Sequence, residues 1–330
     1  MTPRMNGYAK LEKKANPAGN VHEAPTSNWK EALRRLDGAY SNNTIRAYRA
    51  DFNIFEAWCK KEARAALPAT AQTIAAFVEA QSESASPATI SRRRASISKI
   101  HKLLKLPSPV NDEEVNLATR RVYRQKGRRQ KQALGLNAPL KQELVASCPL
   151  DLEGLRDRAL IMTGYDTLCR RSELVALRIE DIEIMPDGSG TILVRKAKAD
   201  QLGLGRLAYL SVETIDTLSR WLEKTKLKSG PAFRAISYNR VSERPIKSEA
   251  VSNILKARAK AAEIPSNITK RLSGHSMRVG AAQDMAAAGI DLGAIMHAGG
   301  WKTPAMVMRY IEHMDVRKSG MARMHSGLRS

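Results

Sequence analysis

Cysteine, acidic charge and long apolar runs are all scarce in this 330-residue chain. Its three cysteines, Cys59, Cys148 and Cys169, follow neither metal-ligand nor C-x-x-C spacing, which argues against a disulfide framework and against a zinc site. A reducing cytoplasm is the expected compartment. No apolar run approaches the roughly 18 to 20 residues that span a bilayer. Residues 1–26, polar with scattered Pro, Gly and Asn, lack a signal peptide's apolar stretch and read as a disordered lead-in. There is no phosphate-binding G-x-x-x-x-G-K and no carboxylate-rich metal site, so no cofactor is expected.

Positive charge is what the chain has in excess. Lys and Arg number 55 against 33 Asp and Glu, a net +22, which exceeds what solubility requires and points to a polyanionic partner. Residues 1–130 hold 24 basic and 12 acidic side chains and the remainder hold 31 and 21, so both halves are basic. Two lobes that both contact nucleic acid fit this distribution better than a neutral enzyme with one basic tail.

The length allows two domains with separate cores. From residue 27 to 129 the pattern is helical throughout. Ser41 or Asn43 caps a helix whose Ile45, Tyr48, Phe52, Phe55 and Trp58 recur at three- and four-residue spacing, a core face. Pro68-Ala69-Thr70 precedes a second helix through Ile74, Phe77 and Val78, and Ser86-Pro87 opens a third that runs to Leu104. That third helix sets Arg92, Arg93, Arg94, Lys99 and Lys102 opposite Ile90, Ile97, Ile100 and Leu103, a face suited to a major groove or to phosphates, or else simply a solvated charged face. A fourth helix, from about Asn111, runs into a basic segment containing Arg120, Arg121, Arg124, Lys126, Arg128 and Arg129, with Gly127 breaking the helical pattern; it reads as a helix end entering a linker along the DNA backbone.

From residue 130 to 330 the texture is mixed. Helices are expected near 138–147 and 151–163, and from Arg170 with Leu174, Leu177 and Ile179 on the buried side. Three short strands follow, around Ile182 and Ile184, Ile192 and Val194, and Leu207 to Leu210, the first two joined by Pro186-Asp187-Gly188. Further helices are expected over 212–225, 248–262, 277–288, 291–297 and from Thr303-Pro304 onward. The fold class is therefore mainly α with a small antiparallel β-sheet, in two domains.

Four separated pieces carry chemistry: Arg170-Arg171-Ser172-Glu173, a lysine in a hairpin-like stretch, His275-Ser276-Met277-Arg278, and Trp301 with Tyr310 nine residues on. Breaking a phosphodiester by transesterification requires neutralised non-bridging oxygens, a nucleophile and an acid for the departing oxygen. Arg170 and Arg278 are candidates for the first task, because a guanidinium fork donates to phosphate in a way that lysine does not match. A free phenol has a pKa near 10, so a nucleophilic Tyr310 needs cations and a proton acceptor nearby, and His275 could accept. Trp301 could donate its indole N–H, and a helix opening after Gly274-His275-Ser276 would aim backbone N–H groups at the same anion. Taken singly, Tyr310 and Trp301 could equally be packing residues.

The ordered set R-R-S-E-L, a hairpin lysine, H-S-M-R-V-G, A-G-G-W and M-R-Y-I resembles the tyrosine recombinase, or phage integrase, family, most closely its Cre-like members. The N-terminal helical region is similar to that family's core-binding domain through Ser41, Thr44, Tyr48, Phe55, Trp58 and Cys59. The resemblance implies a helical SAM-like core-binding domain over 27–129 and a catalytic domain with a C-terminal tail over 130–330, clamped around duplex DNA, with Arg170 and Arg278 on the scissile phosphate and Glu173 orienting neighbouring catalytic groups. It also implies that His275 assists proton transfer and that Tyr310 attacks to leave a 3′-phosphotyrosyl link. Lys198, or alternatively Lys196, would protonate the leaving oxygen. Trp301 stands where many members have histidine, a trait of the Cre-like subgroup. The implied partner is double-stranded DNA with paired inverted-repeat sites, bound by a homotetramer of a protein that is monomeric when free. The tail after Tyr310, with Met314, Val316, Met321 and Met324, could dock on the next protomer. A type IB-like topoisomerase, a hairpin telomere resolvase or an inactive DNA-binding protein are the alternative functions.

Overall fold

The structure is a computed structural model that describes residues 28–127, 132–195, 205–312, 321 and 324–325. The chain divides into two compact units, Met1–Gln130 and Lys131–Ser330. The lead-in, Arg128, Arg129, Lys196, Lys198, Met314 and Val316 lie outside the described residues. No helix among the described residues is long and apolar enough to cross a membrane.

The first unit is helical: α1 (Trp29–Ala32), α2 (Asn42–Lys61), α3 (Ala71–Gln81), α4 (Pro87–Leu103) and α5 (Glu113–Lys126). Helices α2, α3 and α4 each open on a hydroxyl: Ser41, Thr70 and Ser86 accept the backbone N–H of Thr44, Thr73 and Thr89, satisfying donors that a helix start leaves free. Helix α5 stops at Gly127, whose φ of 70° no longer continues the turn. The apolar stripes of these helices meet in one core, where Phe52, Phe55 and Phe77 pack edge to face.

The second unit contains α6 (Ala138–Ala146), α7 (Leu152–Asp166), α8 (Arg171–Leu174), β1 (Ile182–Ile184), β2 (Gly190–Val194), β3 (Arg206–Leu210), α9 (Val212–Thr225), β4 (Arg234–Ser237), β5 (Arg240–Pro245), α10 (Ser248–Ala261), α11 (Ser266–Thr269), α12 (Ser276–Ala287), α13 (Leu292–Gly299) and α14 (Pro304–Ile311). Strands β1, β2 and β3 form an antiparallel sheet in which Ile182 faces Ile192 and Val194 faces Arg206. Alternation sends Ile192, Val194, Ala208 and Leu210 into a core shared with Trp221, Phe233 and α7, and leaves Leu207 and Tyr209 outside. Leu168, Ala281, Ala282, Ile295, Trp301 and Val307 form a second, smaller core.

Two expectations are corrected here. The helix expected from Arg170 through Ile179 is a single turn, because Leu177 and Ile179 pair instead with residues 230–232 of the same chain: Ala232 N–H donates to Leu177 O at 2.9 Å and Ile179 N–H to Gly230 O at 3.0 Å. The β4–β5 hairpin was not expected. Its turn uses Tyr238 and Asn239 at φ 49° and 56°, without the glycine that usually advertises such a turn.

Candidate active site

Three local devices bring the motif residues of the second unit together. Arg170 caps α8, and Glu173 ties it twice, accepting from its backbone N–H at 2.9 Å and from its guanidinium at 2.7 Å. One face of the Arg170 fork is thereby fixed. Helix α12 then delivers His275 from its N-cap and Arg278 from its first turn. It lies so close to the segment before α6 that a Cβ at Gly280 would overlap the carbonyl oxygen of Leu136, which explains the glycine two residues after Arg278. The third device is the end of α13. Gly300 caps it in the left-handed conformation at φ 62°, and a Cβ at Gly299 would occupy the space of the Trp301 ring. The A-G-G-W pattern thus folds the indole back against its own helix.

Arg278 is fully buried. Its Nη1 donates to the carbonyl of Leu168, and its guanidinium carbon lies 4.0 Å from the centre of the Trp301 ring. Leu168 itself holds a left-handed backbone, φ 50°, unfavourable for a branched residue and tolerated where the surroundings enforce it. Nε and Nη2 of Arg278 and Nε1 of Trp301 are buried with no hydrogen-bond partner among the described residues. Orphaned donors of this kind are costly, and three in one place are groups that an anion could satisfy. Burial, and after it the charge of Arg170, pull the Arg278 pKa down to about 10. The cation is still present at neutral pH, held in a site that gains from a negative ligand.

Tyr310 comes in on α14. Its hydroxyl lies 2.8 Å from His275 Nε2, and its ring packs against Trp301 with centroids 5.4 Å apart. Burial first, then the charges of Arg278 and Arg170, depress the His275 pKa to about 4. The imidazole is therefore neutral at pH 7, the state in which Nε2 can accept the phenolic proton. On the other side, Gln283 on α12 donates to the Tyr310 carbonyl at 3.0 Å.

Arg170, Glu173, His275, Arg278, Trp301 and Tyr310 are thus gathered in one place, whereas Lys198 and Lys196 fall outside the described residues. The N–H groups of Gly274, His275 and Ser276 in the turn that opens α12 are taken by Ser252 Oγ, Ser273 Oγ and Ser273 O. Sequence reasoning missed Gln283, the Leu168 carbonyl and Arg206. Only Arg206 left a trace, a cation in the inward register of β3. Among the described residues no cluster of His, Cys, Asp and Glu could hold a metal ion.

The basic face of the first unit is less uniform than its sequence suggested. Arg94 is turned inward, donating to Thr119 Oγ1 at 2.8 Å, Val110 O at 2.7 Å and Asn116 Oδ1 at 3.1 Å, so it joins α4 to α5. Arg93 donates to Gln81, and Arg92 forks onto buried Asp51 at 2.9 and 2.8 Å while keeping more than half its side chain exposed. Lys99 donates to Tyr40 Oη at 3.0 Å, and Lys126 to the carbonyl of Ala85 at 3.2 Å. Arg120 and Arg121 pair on the surface with Glu113 and Glu79, and Arg124 is exposed.

The chain is similar in sequence and in fold to known proteins. Residues 136–317 match the phage integrase family, and residues 27–106 match the N-terminal SAM-like domain of phage integrases. The chain is 31% identical over 311 residues to an integrase/recombinase xerD homolog of Selenomonas ruminantium, covering 90% of this chain and 89% of that protein. It is 27% identical over 307 residues to recombinase cre of Escherichia phage P1, covering 87% and 88%. Among solved structures, XerH site-specific recombinase bound to palindromic difH substrate, a post-cleavage complex, shares the fold with a TM-score of 0.66 at 17% identity, covering 90% of this chain and 84% of that one. The Tn1549 transposon integrase in complex with transposon right end DNA does so at 0.64 and 15%, covering 90% and 97%. With a family model over more than half its length and a relative above 30% identity along nearly all of it, this chain belongs to the phage integrase family of tyrosine recombinases.

Proposed function

We propose that the protein is a site-specific DNA recombinase that cuts and rejoins duplex DNA through Tyr310. One observation carries this reading: a tyrosine hydroxyl hydrogen-bonded to a neutral imidazole sits beside three buried donors that have no partner among the described residues.

In the proposed reaction Arg170, Arg278 and Trp301 Nε1 take the non-bridging oxygens of the scissile phosphate. Their preorganisation stabilises the charge that builds on those oxygens. Tyr310 Oη attacks phosphorus and its proton passes to His275 Nε2. A tyrosyl O–P bond forms as the P–O5′ bond breaks, and the departing oxygen takes its proton from Lys198. A 3′-phosphotyrosyl link and a free 5′-hydroxyl result. Attack by the 5′-hydroxyl of a second strand reverses the step on a new partner, so phosphodiester energy is conserved and no nucleotide is consumed. Glu173 orients Arg170, the first unit contributes DNA affinity through its exposed cations, and four copies act on two paired inverted-repeat sites.

The test uses a duplex enriched from a random-sequence library by the full-length protein and nicked just beyond the cleavage point. Wild type is expected to trap a covalent adduct. Tyr310→Phe should bind with unchanged affinity and trap none, and an adduct persisting in that variant would overturn the assignment of the nucleophile.

A further inference from the structure

Arg206 opens β3 in the same inward register as buried Ala208 and Leu210, a position where a cation must find partners. It finds two helix ends. Nη1 donates to Ala298 O in the last turn of α13 at 3.0 Å, and Nη2 donates to Thr167 O, the C-cap of α7, at 2.6 Å. Both carbonyls belong to groups that a helix C-terminus leaves without intrahelical donors, at the negative end of its dipole. Room for the arginine stem comes from Gly300: a Cβ there would stand 2.9 Å from Arg206 Cδ.

The two acceptors begin the two segments that carry the phosphate-facing groups. From Thr167 the chain runs through Leu168, whose carbonyl holds Arg278, to Arg170. From Ala298 it runs through the glycine pair to Trp301. One planar fork therefore fixes the separation of these segments, a task that the single point charge of a lysine does not reproduce. We infer that Arg206 is a positioning residue for cleavage, setting the spacing between the Leu168–Arg170 segment and Trp301 so that their donors converge on one phosphate; this assignment rests on the recombinase reading above.

The experiment compares wild type, Arg206→Ala and Arg206→Lys in single-turnover cleavage of the nicked duplex at saturating DNA. A second duplex carries a methylphosphonate at the cleavage point, in which one charged non-bridging oxygen is replaced by methyl. Both variants should cleave the phosphate at least tenfold more slowly with DNA affinity within threefold of wild type. The rate ratio of phosphate to methylphosphonate should also shrink at least fivefold, because a loosened clamp gains less from the missing charge. Cleavage within threefold of wild type would overturn the inference. So would slow cleavage with an unchanged ratio, the signature of general destabilisation. Thermal melting decides whether Arg206→Ala is folded; if it is not, Arg206→Lys, which keeps the stem and the charge, carries the comparison. Absence of adduct in wild type would instead defeat the recombinase reading itself.

Discussion

The guanidinium of Arg278 lies against the face of Trp301, 4.0 Å from the ring centre, and both residues keep buried N–H groups without partners among the described residues. The indole thus has two separable uses, an aromatic surface that holds a cation and a donor of its own. Trp301→Phe keeps the surface and removes the donor. Its cleavage rate should fall by about ten- to a hundredfold, at or below the range seen for loss of one oxyanion donor, with little change in melting temperature. Trp301→Ala also empties the small core around Leu168 and Val307 and should lose about 3 kcal/mol of stability. Equal rates for Trp301→Phe and wild type would remove the indole N–H from the mechanism.

His275 gives a dependence on acid whose sign is set by its depressed pKa. The unfolded imidazole titrates near 6.5 and the folded one at about 4. Stability from keeping it neutral is complete above 6.5 and is lost as pH falls through 4, about 3 kcal/mol in all. The melting temperature of wild type should therefore drop more steeply between pH 6.5 and 4 than that of His275→Asn. In the free protein the His275 ring resonance should titrate below pH 5; a midpoint at or above 6 would contradict the depressed pKa, and one above 7 the neutral acceptor.

The cations of the first unit divide by what they already hold. Arg94, fastened between α4 and α5, should matter for stability: Arg94→Ala is expected to destabilise the fold by about 1–3 kcal/mol, read as a lower melting temperature, and to leave the salt dependence of DNA binding unchanged. Exposed Arg124 should behave oppositely. Arg124→Ala should reduce the slope of log affinity against log salt by about one without affecting folding, and binding isotherms between 50 and 200 mM salt distinguish the two.

Much of the fold is legible where a residue acts on its own neighbours. Ser41, Thr70 and Ser86 announce helix starts because their hydroxyls reach only three residues, and the Phe52, Phe55 and Phe77 stripe states which side is buried. The chemistry of Arg170, His275, Arg278, Trp301 and Tyr310 is legible as an ordered set, since their residue types suit one reaction. Partners chosen over long separations are not. Arg94 looked like a surface cation because Thr119 and Val110, which hold it, are remote in sequence. The α8 turn looked longer because residues 230–232, which take over Leu177 and Ile179, follow some fifty positions later. Arg206 escaped for the same reason: the carbonyls of Thr167 and Ala298 are defined by helix ends and leave no mark on the residues that own them.

Tyr310 rides on a helix of two turns in which Val307 is the buried residue, joined to the small core and not to the larger one beneath the sheet. An element held in this way is expected to open at less than the cost of global unfolding. Presentation of the hydroxyl then becomes a local equilibrium, separable from the folding of the larger core beneath the sheet.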